Sequence, residues 1–480
     1  MSTLKKGRVQ LVVSISDGQL EGIQENGLHI FKGIPYACPP VKELRFKAPE
    51  PVQPWEGILN ASKFGKIAPQ VRQLVFPIME EQSEDCLYLN IWTPACDDRK
   101  RPVVVWIHGG AFVMGAGSLH DSSVFAENGI VSVTINYRMG ALGFLELGDV
   151  LGEAYRGSGN CGLLDIVAAL RWVQQHISRF GGDPTRVTVM GHSAGAKLVS
   201  SLLCVPDAKG LFQRAIIQSG GVQSIRDFNT ASEITNQFLD ALNISKDQGD
   251  ILLELPVSEL LEAQSIFTGG ITGLHKFGPV IDGKTIVRPP LESFQMGEAN
   301  SVPILIGSNR EEALVQVQLE GLSIFEKPKI QALFGRNSGE VLQAYEDSST
   351  QATREQAAIE TLTNYLYGYA VVQLAEALAV NDVPVWLYRF DCSKGPMGAA
   401  HGAEMSLIWK LPTRPQEIER LVDRMHQAWV SFMNFANPEV DDVHWPKFDL
   451  MERKTMIFDD ECQIISSQPI KDVPSQVFVL

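Results

Sequence analysis

The chain has 480 residues, 45% of them hydrophobic, and carries a formal charge of −15 from 56 acidic against 41 basic side chains. That apolar content is enough for a large packed core, and the acidic excess argues against a nucleic-acid partner, whose phosphates it would repel. A diffuse acidic surface kept for solubility accounts for the charge more simply than a funnel for cationic substrates.

The basic start "KKGR" leads into "VQLVVSIS", a short β-branched run that predicts a first strand rather than a signal peptide. No apolar run approaches the roughly 18 residues of a membrane-spanning helix, so no membrane anchor is expected. Seven cysteines are sparse for this length and none forms a C-x-x-C pair. The cysteines thus offer no metal-ligand spacing, no cofactor is expected, and reduced thiols fit a cytoplasmic protein.

The middle of the chain alternates strand and helix patterns. "PVVVWIHGG" from Pro102 and "GIVSVTINYR" from Gly129 predict strands buried on both faces. "LLDIVAALRWVQQHI" then places Ile166, Leu170, Val173 and Ile177 on one helical face. "RVTVMG" returns to strand, "AGAKLVSSLLCV" to helix and "RAIIQSGG" to strand, the rhythm of a parallel sheet covered by helices on both faces. Two further strands are predicted from "VPILIGSN" at Val302 and "VPVWLYRFD" at Val383, and an amphipathic helix from "LVDRMHQAWVSFMNF". Helical insertions at about 225–275 and 310–380 would wall a site or enlarge the core.

Ser193 lies in "GHSAG", a G-x-S-x-G placed between a strand and a helix. That context predicts a nucleophile elbow, which lifts the serine hydroxyl above the sheet and sets the Ala194 N–H where it can bind a developing oxyanion. "HGGAF" after the strand at Pro102 offers Gly109 and Gly110 as further oxyanion donors, with His108 as a residue holding the loop. In this order of motifs the acid and the base follow the serine. His192 precedes an elbow serine and points away from its hydroxyl, so it is read as a neighbour and not the base. Of the downstream histidines, His426 falls in a helical pattern, His444 in a turn-rich stretch and His275 before the late strands. His401 sits in the loop "GPMGAAHGAE" after the last strong strand. Glu311, Glu312, Asp391 and Asp282 are candidate acids, and spacing does not choose between the two glutamates.

The chain resembles the type-B carboxylesterase and cholinesterase family, most closely its bacterial carboxylesterases. The resemblance rests on "FKGIPYACPPVKELRFKAPEP", "EDCLYLNIW", "VWIHGGAF", "NYRMGALGFL", "GLLD", "FGGDPTRVTVMGHSAGA" and "GLFQRAIIQSGG" in the first half, and on "IGSNREEA", "HGAE" and "WVSFMNFANP" in the second. It implies an α/β-hydrolase fold: a mixed, mainly parallel sheet flanked by helices, with helical insertions walling a gorge. It also implies Glu312 as the acid, within "NREEA", His401 as the base, and Ser219 as a serine supporting both. Two departures stand out. The family's usual glutamate before the nucleophile is His192 here, and the cysteine that bridges Cys86 in secreted relatives is replaced by Ala68.

Because the implied site runs from Gly109 to His401, residues 1–480 are read as one catalytic domain, a monomer or weak homo-oligomer. The expected activity is a serine carboxylesterase acting on a small-molecule ester through an acyl-enzyme. A carbamate or amide hydrolase, or a lactonase, would use the same residues. A non-catalytic binding protein on this fold would lack a working triad, whereas every catalytic position is kept here.

Overall fold

The computed structural model describes residues 11–71, 79–412, 416–440, 444–467 and 477–478. Its strands, in chain order, are β1 (Leu11–Ile15), β2 (Gly18–Glu25), β3 (Leu28–Pro35), β4 (Ile58–Asn60), β5 (Tyr88–Thr93), β6 (Arg101–Ile107), β7 (Val131–Ile135) and β8 (Gly182–His192). There follow β9 (Arg214–Gln218), β10 (Ile225–Asp227), β11 (Val280–Ile281), β12 (Ile304–Asn309), β13 (Val385–Phe390), β14 (Lys454–Phe458), β15 (Gln463–Ser466) and β16 (Val477–Phe478). Among the described residues, thirteen of these form one sheet in the order β1-β2-β3-β5-β7-β6-β8-β9-β12-β13-β14-β15, with β4 beside β2. From β7 to β14 every neighbouring pair is parallel. The pairs outside that block, from β1 to β7 and at β15, are antiparallel, except that β4 runs parallel to β2. A small parallel sheet joins β10 to β11 and β16.

Alternation along the parallel strands feeds two hydrophobic layers, because successive side chains leave a strand on opposite faces. Val103, Val105 and Ile107 of β6 enter one cluster while Val104 and Trp106 enter the other. Ile304 and Ile306 of β12 join the first and Leu305 the second. The helix Cys161–His176 closes the first layer with Ile166, Leu170 and Val173, and the helix Glu419–Phe435 closes the second with Val422, Met425 and Trp429.

The predicted strands and helices all form, with local shifts. The run "GIVSVTINYR" is strand only as far as Ile135, since the next three residues are committed to other contacts. Asn136 Oδ1 accepts the Gly117 N–H at 2.8 Å, Tyr137 donates to His108 O at 2.8 Å, and Arg138 forks onto the buried Asp165 at 2.6 and 2.9 Å. The first two of the residues predicted to open β1, 9 and 10, lie outside the described set. The stretch 225–275 contains β10 and the helices Phe228–Ala241 and Val257–Phe267, and 310–380 is helical with its own apolar cluster around Ile324, Leu333 and Tyr345. Arg45 ties the first of these to the body. It forks onto Glu84 at 2.6 and 2.7 Å and donates to the carbonyls of Leu252 and Leu255.

Candidate active site

Parallel strands place their carboxyl ends at one edge, where loops can gather side chains from distant parts of a sequence. Five adjacent strands, β6, β8, β9, β12 and β13, lead there into the segments carrying His108, Ser193, Ser219, Glu312 and His401.

Ser193 links β8 directly to the helix Ala194–Leu202 and holds φ +57° and ψ −121°, a backbone conformation that costs a non-glycine residue energy and marks the elbow. The turn is possible because its flanks are bare. A Cβ on Gly195 would run into the Ile107 carbonyl, and one on Gly191 into Gly195. Gly109 is similarly close: a Cβ there would lie 2.7 Å from His192 O and 3.1 Å from Ser193 Cβ. The "HGG" loop therefore rests against the serine. His108 is buried, stacks on Tyr137 at 4.4 Å and meets its neighbour's carbonyl, Gly109 O, at 2.8 Å. Burial lowers its pKa to about 4, and among the described residues it has no carboxylate partner.

His401 Nδ1 lies 2.6 Å from Glu312 Oε2, and the Glu312 side chain is fully buried. The other Glu312 oxygen accepts the Asn309 N–H at 2.8 Å. Asn309 also donates its side-chain amide to Ala400 O and to Glu404 Oε2, each at 2.6 Å. The last residue of β12 thus fixes both the carboxylate and the loop that delivers the imidazole. Ser219 also holds a positive φ, +53°, and its hydroxyl favours the ionised form of Glu312 by its proximity, although among the described residues it makes no full hydrogen bond.

The rival candidates are spent elsewhere. Glu311 is half-buried and pairs with Arg310 at 3.4 Å, Asp391 is forked by Arg389, and Asp282 accepts backbone N–H groups in its own turn. His426 is held by Ile408 O and Asn128, while His275 meets Ser224 Oγ at 2.7 Å. His444 makes a carboxylate pair as short as that of His401, 2.6 Å to Glu439, but its side chain is 79% exposed, so distance alone does not single out a catalytic pair. Part of its predicted turn, 441–443, lies outside the described residues.

Burial sets the charge state. It pushes the Glu312 carboxyl up to about 7 and lowers His401 to about 3, the nearby Lys197 ammonium adding to the latter. The imidazole is accordingly neutral at neutral pH and able to accept a proton. His192 is also kept neutral by burial and by His401, whose ring lies 4.6 Å away. Its Nε2 is 3.8 Å from the buried Glu404, which burial and Glu312 push up to about 8.

Three contributors carry no motif of their own and are invisible to spacing arguments. Tyr367 packs its ring 4.7 Å from that of His401, from a π-helical turn at Asn364–Gly368. Such turns recur at functional sites. Glu404 is read from sequence only as the end of "HGAE". Lys197 is one helical turn beyond Ser193 and is buried.

The family model described as the carboxylesterase family matches residues 9–472. The para-nitrobenzyl esterase of Bacillus subtilis (strain 168) is 37% identical over 94% of this chain and 96% of its own length. The phenmedipham hydrolase of Pseudarthrobacter oxydans is 34% identical over 92% and 94%. Among solved structures, the Geobacillus stearothermophilus carboxylesterase EST55 at pH 6.2 superposes with a TM-score of 0.86 at 36% identity, covering 94% of this chain and 97% of that one. Fold, elbow and full-length similarity agree: the chain belongs to the carboxylesterase family and is a carboxylic ester hydrolase of the α/β-hydrolase fold.

Proposed function

We propose that Ser193, His401 and Glu312 are the catalytic triad, with Gly109, Gly110 and Ala194 as the oxyanion hole and Ser219 in support. The observation that carries this reading is the buried 2.6 Å contact between His401 and Glu312 at the sheet edge that also holds the strained Ser193. The Gly109 and Gly110 N–H groups donate to no other described group, and the Ala194 N–H heads a helix, so all three are available to a developing oxyanion.

In the mechanism, neutral His401 takes the Ser193 proton as the serine oxygen attacks the ester carbonyl. Glu312 holds the imidazole by Nδ1 and stabilises the imidazolium. The carbonyl oxygen gathers negative charge against the three N–H groups. Collapse expels the alcohol, which takes its proton from His401, and water then repeats the cycle on the acyl-enzyme. A fluorophosphonate is expected to label Ser193 covalently, and a mass-spectrometric adduct on any other residue would refute the assignment. Para-nitrophenyl esters, anilides and carbamates compared at equal concentration are expected to rank the esters first.

His192 modulates the site without transferring the proton. His192→Glu is expected to stay active on a short-chain para-nitrophenyl ester. The added carboxylate near the His401 ring favours the protonated base, so the acid limb of the pH–rate profile moves up by about one unit. His401→Ala is expected to be nearly inactive. An inactive, folded His192→Glu beside an active His401→Ala would reverse these roles.

We read residues 1–480 as one catalytic unit, because the proposed site draws on segments from Gly109 to His401. A reducing, cytoplasmic location is supported by seven free cysteines, the buried Cys86 among them. Among the described residues no helix is long and apolar enough to cross a membrane.

A further inference from the structure

Lys197 is a charged group that the proposed mechanism does not use. It lies in the first turn of the elbow helix, its N–H bonded to Ser193 O at 3.0 Å, and helical side chains lean back toward the N-terminus. Its Nζ sits 6.0 Å from the centre of the Phe112 ring, which belongs to the "HGGAF" loop, and 5.9 Å from that of Tyr367, which packs on His401. The ammonium is thus bracketed by the loop and the histidine of the proposed site.

Its environment is unusual for a cation. The residue is only 8% exposed. Nζ donates to Ser224 Oγ at 2.9 Å, and the Ser224 hydroxyl is then free to donate to His275 Nδ1 at 2.7 Å. His275 is neutral, lowered to about 3 by burial and by Lys197, as an acceptor there must be. Among the described residues no carboxylate comes within ion-pair distance of Nζ, and Glu312, the anion that most favours its charge, is engaged with His401. A buried ammonium with one hydroxyl partner and two remaining N–H groups is costly unless an anion completes it. Burial lowers Lys197 only to about 8, so the ammonium persists at neutral pH.

We propose that Lys197 is a specificity-determining residue that selects esters whose acyl group ends in a carboxylate, such as half-esters of dicarboxylic acids. The acyl side is assigned because the alcohol must leave and water must enter past the more exposed Ser193 and His401, whereas Lys197 is buried. The carboxylate would accept the two remaining N–H groups in charge-assisted hydrogen bonds. This rests on the serine esterase reading above.

The test is kcat/KM, by pH-stat, for monoethyl malonate, succinate, glutarate and adipate against the uncharged ethyl esters of equal acyl length. Carboxymethyl pentanoate, with its carboxylate on the alcohol, distinguishes the two sides. Wild type is expected to favour one half-ester over its uncharged counterpart by about ten- to a hundredfold, chiefly through KM, and to show no such preference for the alcohol-side anion. The ratio is taken within each variant, so a general loss of activity cancels. Lys197→Met is expected to abolish it and Lys197→Arg to retain part. Wild type preferring the uncharged ester at every length overturns the proposal without recourse to any variant. So does a preference confined to the alcohol-side anion. If Lys197 only keeps Glu312 ionised, Lys197→Met moves the acid limb upward and leaves the ratio unchanged, which also overturns it. Absence of hydrolysis of every ester by wild type would instead count against the esterase reading itself.

Discussion

Ser193→Ala is expected to lower turnover of a para-nitrophenyl ester by about five to six orders of magnitude while leaving the melting temperature close to that of the unmodified protein. The size follows from what is lost. Without the oxygen there is no acyl-enzyme, and His401 and Glu312 have no proton to move. What remains is whatever the oxyanion donors and binding contribute to direct attack by water, about three to four orders of magnitude over the uncatalysed rate. Stability should hold because the elbow is shaped by its neighbours: Gly191 and Gly195 allow the close passage, and the Ser193 N–H to Gln218 O bond of 2.9 Å is made by backbone. The hydroxyl has no part in either. The variant should also lose fluorophosphonate labelling. Purified Ser193→Ala retaining more than about a hundredth of the activity would mean that another nucleophile operates.

The parallel core and the elbow were legible because they are written in local pattern. β6, β7, β8, β9, β12 and β13 are β-branched runs buried on both faces, and G-x-S-x-G between strand and helix has a mechanical meaning that needs no partner. The antiparallel strands β2, β3, β5 and β15, and β14 at the end of the parallel block, were not read from periodicity. β2, "GQLEGIQE", is half exposed and contains two glycines, so its identity as a strand depends on the neighbours it pairs with. The site divides in the same way. His401 and Glu312 could be proposed through family resemblance, but residue spacing alone left Glu311 and Glu312 open. Asn309, Glu404, Tyr367 and Lys197 act through approaches made only when loops from different strands meet. Asn309 reaches 91 and 95 residues ahead to hold Ala400 and Glu404, a separation over which sequence carries no pairing signal.

The choice between the adjacent glutamates gives the second large effect and carries its own control. Glu312→Gln is expected to reduce turnover by about four orders of magnitude, whereas Glu311→Gln should stay within about threefold of the unmodified enzyme. The two side chains are one residue apart and chemically identical, so only their surroundings separate them. Glu312 is buried, receives the Asn309 N–H and meets His401 at 2.6 Å. An amide there can donate to Nδ1 as well as accept, which favours the wrong imidazole tautomer and removes the charge that stabilises the imidazolium. Glu311 has a third of its side chain exposed and faces Arg310 at 3.4 Å, a pair worth little in water. Its contribution to the fold is made by backbone, through the N–H donated to Ala399 O at 3.0 Å, and survives the substitution. The pH profiles should differ as well. With Glu312 present, activity rises with pH through about 7 as the buried carboxyl–imidazole pair gives up its proton. Glu311→Gln should keep that limb, and in Glu312→Gln the residual activity should lose it, because the remaining base, His401, is lowered by burial and stays neutral well below that pH. Equal losses in the two variants, or a heavier loss in Glu311→Gln, would place the acid one residue earlier.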